Sequence, residues 1–244
     1  MIKVCAIFFL LCTALVGLAQ VSEFNQPWMD STKALILDPY HGNDLNWEEL
    51  ASDKRVAGII HKATQGNRVD KKYRERKETA KARGYKWGSY HLGVPGSPVA
   101  QADFYLETVG IHSDEIYALD LENLNPRSSM PLDSAVKFIT RMHEKTGRYP
   151  LIYCNRVVLD GISEKFDSSS VFAKCPLWHA RFRNDIPDFN TATWTTYTLW
   201  QFSCEINCHN TGPCPYRVPG TNADMDINVY NGTIEELLDK WPDI

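Results

Sequence analysis

Eight short apolar runs recur along this chain, and the segments between the early ones carry helical rather than strand periodicity. The runs are KALILD (33–38), RVAGIIHKAT (55–64), YKWGSYHLG (85–93), EIYALDLE (115–122), YPLIYCN (149–155), CPLWHARF (175–182), YTLWQFS (197–203) and MDINVY (225–230). Most are continuous rather than alternating, as strands buried on both faces are. DKKYRERKETAKARG (70–84) predicts a helix that stops at Gly84. SPVAQADFYLETVG (97–110) has Ser97 as N-cap, Pro98 in the first turn and Gly110 after the end, and PLDSAVKFITRMHEKTG (131–147) repeats that plan. After Cys154 the intervals shorten and gain Pro, Gly and Ser, leaving room for a short helix near 156–162 and a terminal one near 233–241.

Alternating strand and helix predicts a parallel sheet. Eight strands in somewhat over 200 residues fit a closed β/α barrel of the TIM-like type, with helices reduced in the C-terminal third. An open doubly wound sheet would want a glycine-rich phosphate loop after the first strand, and LDPYHGND holds a single glycine. No repeat, low-complexity tract or linker divides the chain. One barrel domain is expected over 33–244, preceded by a lead-in at 20–32.

The first 19 residues read as a secretory signal. Lys3 is followed by the apolar run VCAIFFLLCTALV, and the small residues Gly17 and Ala19 precede Gln20. That run is short for a membrane span, so the mature chain is expected to be exported without an anchor. The formal net charge is −4 and no basic block occurs, which argues against nucleic acid as a partner. Of seven cysteines, Cys154, Cys175, Cys204, Cys208 and Cys214 follow the leader. CEINCHNTGPC reads as a loop stapled by a disulfide; a zinc loop using His209 is the other reading, and its spacing is unfamiliar.

Barrel enzymes place their chemistry at the C-terminal ends of the strands. Asp38 ends the first run, Asp120 and Glu122 end the fourth, and Asp226 lies in the last. Residues two apart on a strand share a face, so Asp120 and Glu122 project together. Two carboxylates on one face repel and lose solvation, a cost that general acid/base chemistry would justify. No G-x-S-x-G, H-E-x-x-H or phosphate loop is present. Converging carboxylates with Trp and Tyr suggest a sugar site. Trp178, Trp200 and Tyr153 either line that groove or fill the barrel, with the groove favoured for Trp200.

These segments together resemble the lysozymes of glycoside hydrolase family 25, the Chalaropsis-type N-acetylmuramidases. IIHKATQG is similar to that family's K-A-T-E-G, ARGYKWGSYHLG to A-G-x-x-x-G-x-Y-H-F, and QADFYLETV to Q-A-x-x-F. ALDLE carries its D-x-E. PLIYCN, PLWHARF and LWQFS resemble Y-[ST]-N, L-W-x-A and W-Q-[YF]-[ST], and MDINVYNG resembles D-x-N-x-[FY]-x-G. The similarity runs in order from about residue 34 to 232.

The resemblance implies a (β/α)5(β)3 barrel and cleavage of the β-1,4 bond between N-acetylmuramic acid and N-acetylglucosamine in peptidoglycan. It implies Glu122 as general acid, Asp120 as the residue that orients the acetamido group, and Asp38 and Asp226 as the other active-site acids. Tyr90, His91, Tyr153, Trp200 and Gln201 are the expected substrate-binding residues, although His91 suits a hydrogen-bonded core position equally well. The route implied is substrate-assisted and retaining, without metal or cofactor, and a monomer is the default state. The chain departs from the family at LDPYHGN, where D-[VI]-S-x-[WH]-Q-G is usual, at Gln65 in place of Glu, and in the cysteine-rich 204–214 segment. Two other classes fit less well: a saccharide-binding barrel without turnover, and a chitinase, whose D-x-x-D-x-D-x-E fails at Glu115 and Ala118. Asn231-Gly232-Thr233 matches a glycosylation sequon by pattern.

Overall fold

Each of the eight apolar runs forms a strand in the computed structural model, which describes residues 22–187, 189 and 191–244. The expected leader, 1–19, lies outside the described residues. The strands are β1 (Lys33–Leu37), β2 (Val56–Gln65), β4 (Lys86–Leu92), β5 (Glu115–Leu121), β6 (Leu151–Asn155), β7 (Leu177–Ala180), β8 (Leu199–Ser203) and β9 (Ile227–Thr233). A two-residue strand, β3 (Arg68–Val69), folds back on β2 as a hairpin arm. The order β1-β9-β8-β7-β6-β5-β4-β2 closes through a β1–β2 pairing, giving an eight-stranded barrel.

The barrel is mixed, which corrects the all-parallel expectation at one strand. β9 runs antiparallel to both β8 and β1. An antiparallel neighbour needs no crossover helix, and the β8–β9 connection forms none. A short apolar run says nothing about its own direction.

Helices α2 (Tyr73–Ala82), α3 (Pro98–Val109), α4 (Leu132–Thr146) and α5 (Arg156–Lys165) follow the early strands, and α6 (Ile234–Lys240) closes the chain. A single turn, α1 (Trp47–Leu50), separates β1 from β2 and is capped by Asn46. The Ser97 hydroxyl caps α3 by accepting from the Ala100 amide. Gly110 and Gly147 end α3 and α4 at φ 81° and 74°, where a side chain would be strained. The threonine of the 231–233 sequon is the N-cap of a capping box on α6.

Side-chain alternation sorts the strands into two layers. Ala34, Ile36, Ile60, Ile116, Ala118, Leu151, Trp178 and Leu199 fill the barrel interior. Their neighbours, among them Leu35, Leu37, Ile59, Leu119, Trp200 and Phe202, face outward into the surrounding shell. The interior is tight: a Cβ on Gly88 would lie 3.0 Å from the Ile116 Cβ and 3.1 Å from the Ile60 Cγ1. The described part of the expected lead-in, residues 22–32, packs on the outer layer, with Trp28 stacked on Phe202 at 4.4 Å. No helix of the described residues is long and apolar enough to cross a membrane.

Candidate active site

The inward register of β1 continues past its end from Ala34 and Ile36 to Asp38, and that of β5 continues from Ile116 and Ala118 to Asp120 and Glu122. Asp226 immediately precedes β9. Because β9 is antiparallel, its beginning sits at the same mouth as the ends of the parallel strands, and the Asp38 amide donates to the Asp226 carbonyl at 3.2 Å. The structure thus brings all four predicted acids together. With Tyr90, Tyr153, Trp178 and Gln201 they line a cavity of about 60 Å³. That volume holds a few waters or one small substituent, not a pyranose ring. It is a pit in the floor of the mouth.

A hydrogen-bonded chain fixes one side of the pit. The Tyr153 hydroxyl donates to Gln201 Oε1 at 2.8 Å, and Gln201 Nε2 donates to Asp38 Oδ2 at 2.8 Å. Asn228 Nδ2 donates to Asp38 Oδ1 at 2.5 Å, while Asn228 Oδ1 accepts from the Trp178 indole at 2.6 Å. Trp178 is wedged between the rings of Tyr153 (5.0 Å) and Tyr90 (6.2 Å), both edge-on. Asn228 is a site residue that the sequence reading missed. It stands two residues after Asp226, so strand alternation was the signal that could have found it.

The other side is left open. Asp120 is 6 % exposed and its Oδ1 has no hydrogen-bond partner. Glu122, two residues on, is exposed. The Asn155 amide, which also caps α5, donates to the Glu122 carbonyl at 2.8 Å and holds that strand end in place. No Arg or Lys pairs with Asp120 among the described residues. Lys62 points toward the mouth from β2 and donates to Gln65 Oε1 at 3.1 Å.

Burial therefore dominates the electrostatics. It holds the Asp38 carboxyl well above the usual range, helped by the charge of Asp226 and opposed by the donors Asn228 and Gln201. Burial and then Glu122 raise Asp120, with Lys62 opposing. Asp226 is pushed up to about 8 by burial, then by Glu205, Asp224 and Glu122. Near neutral pH the cluster therefore carries protons that isolated carboxylates would have lost.

The loop after Asp38, where the sequence departs from the family pattern, is clamped from outside. The buried Arg76 donates to the carbonyls of Tyr40 (2.8 Å) and Asn43 (2.5 Å). Asp70 accepts from both the amide and the imidazole of His41. Pro39 contributes its carbonyl to the Lys62 amide at 3.0 Å. Different residues thus hold Asp38 in an ordered loop.

His91 and Trp200 do not line the pit, which corrects their expected place in substrate binding. Each neighbours an inward residue and so points outward. His91 is wholly buried between Thr64 Oγ1 (2.7 Å) and Gln101 Oε1 (3.0 Å), and burial lowers it to about 4, so it is a neutral tie between β4 and α3. Trp200 packs edge-on against Trp28 at 5.2 Å and donates to the Arg181 carbonyl. Tyr90, Tyr153 and Gln201 do face the pit, and so does Trp178.

Cys208 and Cys214 form the disulfide, and Cys154, Cys175 and Cys204 are free and buried. The Cys204 thiol and the carboxylates of Glu205 and Asp226 lie within 4.8 Å of one another. Burial pushes that thiol up to about 12, which opposes the thiolate a soft cation requires. His112, Asp114 and Glu115 also converge, but Glu115 is already engaged by two lysines.

A buried acid cluster at the mouth of an irregular barrel, with D-x-E at the end of the same strand, can be compared with known proteins. The sequence profile of the glycosyl hydrolases of family 25 matches residues 38–210. The chain belongs to that family. It is 31% identical over 212 residues to the uncharacterized protein YegX of Escherichia coli K12, covering 81% of this chain and 71% of YegX. It is 28% identical over 207 residues to lysozyme M1 of Streptomyces globisporus, covering 80% and 66%. Among solved structures, the muramidase of Trichobolus zukalii superposes with a TM-score of 0.68 at 25% identity, over 86% of this chain and 100% of that one. A bacterial lysozyme from Streptomyces coelicolor shares the fold at a TM-score of 0.68 and 24% identity, over 88% and 99%. The family-25 barrel explains why the helices thin out after α5 while the acids still converge.

Proposed function

We propose that this protein is a secreted N-acetylmuramidase that hydrolyses the β-1,4 bond between N-acetylmuramic acid and N-acetylglucosamine in peptidoglycan, acting as a monomer without metal or cofactor. The observation that carries the reading is the contrast within D-x-E: Asp120 is buried with a free oxygen in the pit, and Glu122 is exposed beside it. The pit suits a 2-acetamido group. Asp120 Oδ1 accepts the acetamido N–H, which favours the ionised form and offsets the effect of burial. The acetamido carbonyl oxygen is then aimed at the anomeric carbon. Glu122 donates its proton to the glycosidic oxygen as the C1–O bond breaks, and the acetamido oxygen bonds to C1 in place of an enzyme nucleophile. Glu122, now ionised, takes a proton from the incoming water, which reopens the ring formed on C1 with retention. Tyr90 and Tyr153, backed by Trp178, supply aromatic surface against the sugar.

The test is digestion of purified peptidoglycan, with identification of the new reducing ends after borohydride reduction. Muramic acid at those ends supports the proposal. Glucosamine ends, or release from chitin oligomers alone, point to another acetamido-sugar hydrolase. Saccharide binding without product points to a barrel that has lost turnover. Export is part of the same reading, and the N-terminus of the secreted protein should be Gln20.

A further inference from the structure

We propose that Glu205, carried by the disulfide-stapled connection between β8 and β9, is a positioning residue for the hydrolysis proposed above: it acts through Asp226, making that side chain a hydrogen-bond donor to the sugar. The inference rests on the hydrolase reading.

The geometry comes first. A carboxylate oxygen of Glu205 lies within 4.8 Å of one on Asp226. Asp226 lines the pit, and Glu205 is exposed just outside it. The turn that carries Glu205 is closed on itself. The Cys204 amide donates to Asn207 Oδ1 at 3.1 Å, Asn207 Nδ2 donates to the Phe202 carbonyl at 2.8 Å, and the Cys208 amide donates to the Cys204 carbonyl at 2.9 Å. The Cys208–Cys214 disulfide then staples the segment that follows. The backbone of Glu205 is therefore held beside Asp226.

Among the described residues, the charges that act on Asp226 are of its own sign. Glu205 reaches it from the end of β8, Glu122 from the end of β5 and Asp224 from its own loop. Asp38 faces it from β1, with both oxygens already occupied by Gln201 and Asn228, and Asp120 completes the ring from β5. Neither Glu205 nor Asp226 forms an ion pair among the described residues. Six carboxyls this close do not all ionise at neutral pH. Glu205 is exposed and Asp226 is the more buried of the two, so burial and the neighbouring carboxylates act together to keep a proton on Asp226. Of the carboxylates around Asp226, Glu205 raises it most, after burial itself. A protonated Asp226 offers an O–H to an oxygen of the sugar, whereas a carboxylate there could only accept.

The test compares wild type with Glu205→Gln, using Glu235→Gln on the exposed start of α6 as a control for the same loss of charge. Two readouts are taken: the titration of the Asp226 carboxyl by ¹³C NMR in the free protein, and the pH profile of kcat/KM on peptidoglycan. A unit charge at this distance moves a titration by roughly half a pH unit even at the dielectric constant of water. Glu205→Gln is expected to lower the Asp226 midpoint and the alkaline limb together by about that much, less at high salt, while Glu235→Gln moves neither. An active enzyme whose midpoint or limb is unmoved by Glu205→Gln overturns this proposal alone. A folded wild type that is inactive at every pH overturns the hydrolase reading and this one with it.

Discussion

Strand β5 carries a carboxylate at each end, and the two ends treat it in opposite ways. At the start, Glu115 is wholly buried and saturated: Lys77 Nζ sits 2.7 Å from one oxygen and Lys81 Nζ 2.8 Å from the other. Five residues later Asp120 is almost as buried, yet among the described residues it has no cation partner, and one of its oxygens bonds to nothing. The odd spacing puts Glu115 on the outer layer, where α2 delivers lysines, and Asp120 on the inner layer, where acids gather and Lys62 bonds to Gln65 instead. A paired acid ties helix to sheet. An unpaired acid in a pit is held ready for a group that arrives from outside.

The comparison breaks most sharply at the mouth. Asp120→Asn should lower kcat/KM on peptidoglycan by ~10²–10³, the usual effect of removing one oriented polar group from the reacting centre, without lowering Tm. The mirror-image change, Glu115→Gln, should cost about 3 kcal/mol of stability, measured by denaturant unfolding, because it leaves two lysine ammonium groups without their charge partner. Its turnover per folded molecule should be unchanged. A loss of turnover there, with stability intact, would erase the distinction between the ends.

A pH titration sharpens the contrast. Asp226 is raised in the folded state to about 8, whereas an unfolded aspartate titrates near 4. Between those values the native state binds the extra proton, so stability should fall as pH rises through that window. Asp226→Asn removes this residue's share of the slope, leaving that of Asp38 and Asp120. Its Tm should exceed that of wild type by a few degrees at pH 7 and converge with it near pH 4. A smaller effect is expected of Asn155→Ala, which removes the α5 cap and the bond to the Glu122 carbonyl. Stability should fall by about 1 kcal/mol, with a several-fold drop in turnover at saturating substrate if Glu122 is the general acid proposed above.

Much of this was legible in the sequence because buried strands announce themselves as apolar runs and because acids at strand ends are costly enough to be conspicuous. Asp38, Asp120, Glu122 and Asp226 were all found that way. His91 and Trp200 were misplaced by one position: each shares a motif with an inward residue, Tyr90 or Gln201, and alternation sends it to the other face. Counting two residues on from Asp226 would have found Asn228. The direction of β9 left no trace in MDINVY, and the arm formed by β3 and the single turn of α1 are too short to carry a period. Glu205 was invisible for a different reason. Its nearness to Asp226, 21 residues later, is created by how the stapled connection returns to the mouth.

The most direct measurement sets Glu122→Gln beside Glu115→Gln, scoring both for reducing-end release from the same peptidoglycan and both for unfolding free energy. A mouth that does the chemistry predicts that Glu122→Gln keeps its stability and loses ~10²–10⁴ in rate, the scale of a lost general acid, while Glu115→Gln loses stability and keeps its rate. Equal release from Glu122→Gln and wild type would contradict it, and the acids at the mouth would then need an explanation other than catalysis.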